Sequence, residues 1–146
     1  MIKGRIMRYY SRSPEQTEEI GARYAEELRP GDVVALEGDL GAGKTAFVRG
    51  VLRGLGYAGR VTSPTFAVAN EYEAPRGAVV HCDMYRILDE ETLYELGFEE
   101  YLDGRRIVLV EWSENIAYAL PEKRKTVRIS YGDGPEGRTI ETVEAL

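Results

Sequence analysis

The sequence predicts an α/β fold: a central sheet, mostly parallel, with antiparallel edge strands and helices on both faces. Three observations point there. Short continuous apolar runs alternate with helical stripes, as in sheets covered on both sides. A glycine-rich segment joins one such run directly to an amphipathic stretch. The last two strand-like segments flank a tight turn at Gly132-Asp133-Gly134-Pro135 and are expected to pair antiparallel at an edge.

The elements follow in order. Ser13 suits a helix N-cap, Pro14 the first helical position, and Gln16 closes a capping box. Ile20, Tyr24 and Leu28 recur at four-residue intervals, and Arg29-Pro30-Gly31 ends the helix. Val33 to Leu36 reads as a buried strand. A second helix starts near Lys44, with Phe47, Val48, Val51, Leu52 and Leu55 on one face and Gly56 as terminator. Strands are expected over Phe66 to Tyr72, Ala78 to Tyr85, Ile107 to Val110, Thr126 to Tyr131 and Thr139 to Val143. Short helices are expected over Asp89 to Leu96, closed by Gly97, and over Trp112 to Leu120, ended by Pro121.

Composition bounds the function. At 146 residues, with no internal repeat or linker, residues 1–146 are expected to form one domain. Nineteen basic against 25 acidic residues give a net charge of −6, which argues against a nucleic-acid coat or a polybasic membrane binder. The single cysteine, Cys82, excludes a disulfide scaffold, and with one histidine it excludes the usual four-ligand structural zinc site. No apolar run is long enough to span a bilayer, and Met1 to Arg5 lacks the apolar core of a signal peptide. A cytoplasmic location, with no membrane contact, is the expectation.

Gly38-Asp39-Leu40-Gly41-Ala42-Gly43-Lys44-Thr45 is a full match to G-x-x-x-x-G-K-[ST], the phosphate-binding P-loop. Such a string arises by chance in fewer than about one in a hundred chains this long. Its glycines let successive N–H groups point at phosphate oxygens, and the following helix adds its N-terminal amides and dipole. Asp39, Leu40, Gly41, Ala42, Gly43, Lys44, Thr45 and Ala46 are therefore expected to hold a nucleotide by its phosphates. Lys44 reaches the outer phosphates, and Thr45 offers a hydroxyl to Mg2+. The chain is expected to be a single P-loop ATPase domain with a P-loop NTPase-like sheet.

Other segments fit around the loop. Glu111 ends the apolar strand at Ile107 to Val110, where P-loop enzymes carry a metal-side carboxylate; the alternative is a solvated strand-end Glu. In the strand around His81, Val80, Cys82 and Met84 face one side and His81, Asp83 and Tyr85 the other. That polar face either aims Asp83 at water or hydrated Mg2+, or holds a hydrogen-bonded core histidine. Ser63-Pro64-Thr65 is either a simple turn or a nucleotide-sensing segment whose Thr65 approaches the terminal phosphate. Trp112 suits the core or a lid, and residue type favours the core. No Asn-Lys-x-Asp string supports guanine specificity, and Arg86 is the candidate for an arginine finger. Lys123-Arg124-Lys125 reads as a solvated basic face.

Together these strings resemble the TsaE family (formerly YjeE), the small ATPase of bacterial tRNA threonylcarbamoyladenosine synthesis. The shared strings are Glu37 to Thr45, Ser63 to Thr65, Asn70 to Tyr72, His81 to Arg86, Glu95 to Tyr101 and Leu109 to Trp112. Ser113 departs from the family's usual proline, and Cys82 and Met84 replace commoner apolar residues. The resemblance implies ATP and Mg2+ binding, slow hydrolysis, and association with the TsaB–TsaD heterodimer, with tRNA met indirectly through that complex; whether the chain touches tRNA itself is left open. It implies that Lys44 and Thr45 hold phosphate and metal, that Glu111 binds Mg2+, and that Asp83 is a catalytic acid or base. Thr65 would belong to a switch-like loop, Trp112 would take part in activity, and Thr17 and Arg138 would approach the adenine. Competing readings are a small-molecule P-loop kinase and a nucleotide-gated adaptor with incidental hydrolysis.

Overall fold

A computed structural model describes residues 4–38, 42–64 and 68–145. Its seven strands form one sheet: β1 (Gly4–Ser11), β2 (Val33–Gly38), β3 (Ala69–Ala74), β4 (Gly77–Asp83), β5 (Ile107–Glu111), β6 (Lys125–Tyr131) and β7 (Arg138–Ala145). The order across the sheet is β1-β7-β6-β2-β5-β4-β3. The four central strands, β6, β2, β5 and β4, run parallel, while β3, β7 and β1 add antiparallel pairs at the two edges. This is the expected sheet. The expected strand over Phe66 to Tyr72 begins outside the described residues, and its described part runs from Ala69.

Alternation along the central strands gives two cores. On one face Val34, Leu36, Val79, Ile107 and Leu109 pack under α1 (Pro14–Tyr24) and α2 (Lys44–Gly54), through Tyr24, Phe47, Val51 and Leu52. On the other, Val33, Val80, Cys82, Val108 and Val110 pack under Leu93 of α3 (Glu90–Glu95) and under Phe98, Ile116 and Leu120. Burial pushes the Cys82 thiol up to about 12, with Glu71 adding to it, so this cysteine is a packing residue.

Local signals explain the helices. Ser13 caps α1 by accepting the Gln16 N–H at 3.1 Å, with Pro14 in the first position. The Gln16 side chain reaches one residue further back than a capping box requires, accepting the Arg12 N–H at 2.6 Å. The buried stripe of α1 runs through Thr17, Gly21 and Tyr24, with Leu28 beyond it, so Ile20 is only half-buried. Tyr24 and Phe47 stack at 5.6 Å between α1 and α2. The two helices nearly touch at Gly50: a Cβ there would collide with the Glu18 carbonyl. Glu18 also pairs with Arg53 across the same contact.

Two segments differ from expectation. Strand β1 was not foreseen; it is mostly exposed and is held by its register against β7. The helix expected over Trp112 to Leu120 is a kinked 3-10 segment, Ser113–Ala119, with a non-helical Ile116. An ionic ladder crosses the exposed side of one sheet edge: Arg8 to Glu141 (2.9 Å), Glu141 to Arg128 (3.3 Å) and Arg128 to Glu37 (2.7 Å). Among the described residues, no helix is long and apolar enough to cross a membrane.

Candidate nucleotide site

Strand β2 ends at Gly38, and α2 begins at Lys44. The turn between them needs glycine. Gly38 has φ +151°, and a Cβ there would strike the Ile129 carbonyl of β6; Gly43, the residue before α2, has φ +104°. Asp39, Leu40 and Gly41 lie outside the described residues, as does Thr65. Ala42 is fully buried, and its carbonyl accepts the Arg138 Nε–H at 2.9 Å. Residue Arg138, the first of β7, thus braces the loop from the sheet edge. Thr17 lies beside Gly43: its methyl sits 3.9 Å from where a Gly43 Cβ would be. The Thr17 hydroxyl is buried, bonded to Ser11 Oγ at 2.7 Å. Thr45 and Ala46 follow Lys44 in the first turn of α2, Thr45 half-buried and Ala46 buried.

The charged centre of the site comes from three strand ends and α2. Lys44 is 8% exposed and Glu111 6%. Lys44 Nζ donates to the Gly38 carbonyl at 3.0 Å and stands 3.6 Å from Glu111 Oε1. Glu111 is therefore no solvated strand-end residue. Its other oxygen, Oε2, lies 2.7 Å from Nε2 of His81, which is fully buried. Burial alone pushes the Glu111 carboxyl up, but the hydrogen bond and charge of His81, with Lys44, outweigh it and hold it below its ordinary value.

Asp83 is the register partner of Glu111 across the parallel β4–β5 pair. Its Oδ1 accepts the Tyr85 N–H at 3.0 Å, turning the chain at the end of β4. Trp112 follows Glu111 with φ +56°, the left-handed region, where non-glycine residues are uncommon. Its ring lies 5.4 Å from Lys44 Nζ and stacks on Tyr85 at 5.0 Å. It is a half-buried rim residue as well as a packing one, and it lines an open cleft of about 490 Å³ with Glu37, Gly38 and Arg128. Arg86 is exposed in the turn after β4.

The structure thus brings Lys44 and Glu111 into contact, sets Asp83 beside Glu111, and lays Arg138 and Thr17 against the loop. Two residues stand closer to the centre than the sequence indicated. For Trp112 the sequence offers core or lid, with core favoured; the structure packs it against the second core and also brings its ring to Lys44. His81 was left as one of two open readings, and its place in a polar strand face, two residues before Asp83, was the signal.

Known proteins resemble this chain in sequence and fold. The family model for threonylcarbamoyl adenosine biosynthesis protein TsaE matches residues 11–140. The chain is 44% identical over 117 residues to the tRNA threonylcarbamoyladenosine biosynthesis protein TsaE of Bacillus subtilis, covering 80% of this chain and 73% of that one. It is 38% identical to the protein of the same name from Treponema pallidum, covering 84% and 90%. The crystal structure of Bacillus subtilis YdiB superposes with a TM-score of 0.80 at 35% identity, over 100% of this chain and 88% of that one. Glycine loop, strand-end glutamate, sheet order and these likenesses agree, and the chain belongs to the TsaE family.

Proposed function

We propose that this chain is the ATP-binding and ATP-hydrolysing component of the tRNA N6-threonylcarbamoyladenosine modification machinery. In this reading it acts with the TsaB–TsaD heterodimer to permit repeated turnover. The family supports the pathway. The observation that carries the chemistry is the buried meeting of Lys44 and Glu111 at the mouth of a glycine loop.

In this reading the loop amides and the start of α2 grip the phosphate tail. Lys44 exchanges the Gly38 carbonyl for phosphate oxygens and offsets charge on the transferred group. Thr45 and Glu111 would hold Mg2+; a carboxylate and a hydroxyl are oxygen donors that suit that hard cation. Bound Mg2+ supplies charge neutralisation on the phosphate oxygens. Asp83 or Glu111 orients the attacking water. Arg86 is exposed, with no ion pair to the described residues of this centre, which fits weak turnover alone and stimulation by a partner. A net charge of −6 suits a protein partner better than direct grip on tRNA.

The test is reconstitution with TsaB, TsaD, TsaC, tRNA, threonine, bicarbonate and ATP. More than one modified tRNA per complex is expected only when this chain is present. Lys44→Ala is expected to abolish hydrolysis and lower nucleotide affinity at least tenfold, since charge-assisted hydrogen bonds contribute about 1.5–3 kcal/mol. Full hydrolysis by that variant defeats the assignment. Transfer of labelled phosphate to a metabolite instead of water would favour a kinase.

A further inference from the structure

We propose that His81 is a positioning residue for Glu111: its imidazole fixes one carboxylate oxygen so that the other faces Lys44 at the start of α2. The inference deepens the proposed function and rests on it for the metal, but its geometry belongs to the free protein.

Register makes the contact. In the parallel β4–β5 pair His81 stands beside Leu109, and Asp83 beside Glu111. The His81 ring shares its face of the sheet with Val79, Ile107 and Leu109, all buried and apolar. An ionised carboxylate only accepts, so Nε2 carries the proton and donates to Oε2 at 2.7 Å. That leaves Oε1 on the Lys44 side at 3.6 Å. The two oxygens of Glu111 thus have different partners, and rotating the carboxylate would break the shorter contact.

A purely structural role fits poorly. Nδ1 of His81 is buried and has no hydrogen-bond partner among the described residues. An unmet polar atom in an apolar setting costs stability that a leucine would avoid. What the imidazole provides instead is a single directed N–H on a functional carboxylate. Partners of this kind behind metal ligands typically change metal affinity 10–100-fold when removed.

The chain has one histidine, which makes the test clean. Full-length protein with 15N-labelled histidine, free of metal and nucleotide, is expected to show one exchange-protected, far-downfield Nε2 proton. That proton should move upfield in Glu111→Gln, where the acceptor loses its charge. Calorimetry with a non-hydrolysable imido analogue of ATP, with and without Mg2+, gives the second readout. His81→Leu is expected to cut the Mg2+-dependent gain in affinity at least tenfold. Metal-free binding should stay within about twofold of wild type, because the loop amides are untouched. His81→Gln, which keeps an N–H donor, should restore most of the gain. Absence of the protected proton in the wild type overturns the proposal, as does an undiminished Mg2+ effect in His81→Leu. A His81→Gln variant as defective as His81→Leu also overturns it, by assigning the effect to packing. If the proton is present but wild-type binding ignores Mg2+, the nucleotide reading fails and the metal role of His81 falls with it.

Discussion

Replacing Glu111 by alanine tests whether the charged centre is as coupled as its distances imply. The change strips one partner from Lys44 and, among the described residues, the only partner from buried His81 Nε2. At 3.6 Å the Lys44–Glu111 attraction is about 5 kcal/mol with an effective dielectric near 20. Part of this offsets the burial of two charges, and removing one member of a buried pair typically costs about 3–5 kcal/mol. Lys44 keeps its bond to the Gly38 carbonyl, so the lower end applies, about 3 kcal/mol. For a chain of this size that is a fall in Tm of roughly 6–10 °C. Glu111→Gln keeps an acceptor for His81 and should lose about half as much. The pH dependence has a definite sign. The folded carboxyl lies below its ordinary value of 4.5, so its contribution is fully present above about that pH and fades as pH falls through the folded value. Urea unfolding at pH 7 and at steps down to pH 3 should show the gap between wild type and Glu111→Ala narrowing in acid. Equal stability at pH 7, or a gap undiminished at pH 3, refutes the coupling.

Gly50→Ala should lower Tm despite alanine's helix propensity advantage of about 1 kcal/mol. Its Cβ meets the Glu18 backbone, with the carbonyl carbon at 2.7 Å, and overpacking against main chain costs about 1–3 kcal/mol or more; thermal melts decide. Ser13→Ala should cost about 1 kcal/mol by denaturant titration, through loss of the α1 cap. Arg138→Ala removes the bond to the Ala42 carbonyl and should weaken nucleotide binding about tenfold, with circular dichroism unchanged, if that contact contributes about 1.4 kcal/mol to loop order. Wild-type affinity in that variant would separate Arg138 from the loop.

The central fold was legible because its signals are local. Val33 to Leu36 and Ile107 to Val110 are apolar throughout since parallel strands are covered on both faces, and they occupy the middle of the sheet. The five apolar positions read for α2 are all buried. Strand β1 was not legible: it is mostly exposed, and its order comes from β7, more than a hundred residues later. The same physics hid the contact that His81 makes. Its partner lies 30 residues away, and only the β4–β5 register joins them. Trp112 was legible in part: it packs against the second core, as its residue type suggests, and its ring also lies 5.4 Å from Lys44 Nζ, a proximity that only the fold brings about. Asp83 was placed on the correct face by simple alternation, and the family resemblance drawn from six short strings holds over residues 11–140.

The ladder from Arg8 through Glu141 and Arg128 to Glu37 ties β1, β7 and β6 to β2, on the flank from which Arg138 reaches inward. Its rungs are open to solvent, so dissolved ions compete for them directly. Ionic strength therefore acts as a dial on how firmly that flank backs the Ala42 end of the chain leading into α2, while the apolar interior beneath barely feels it.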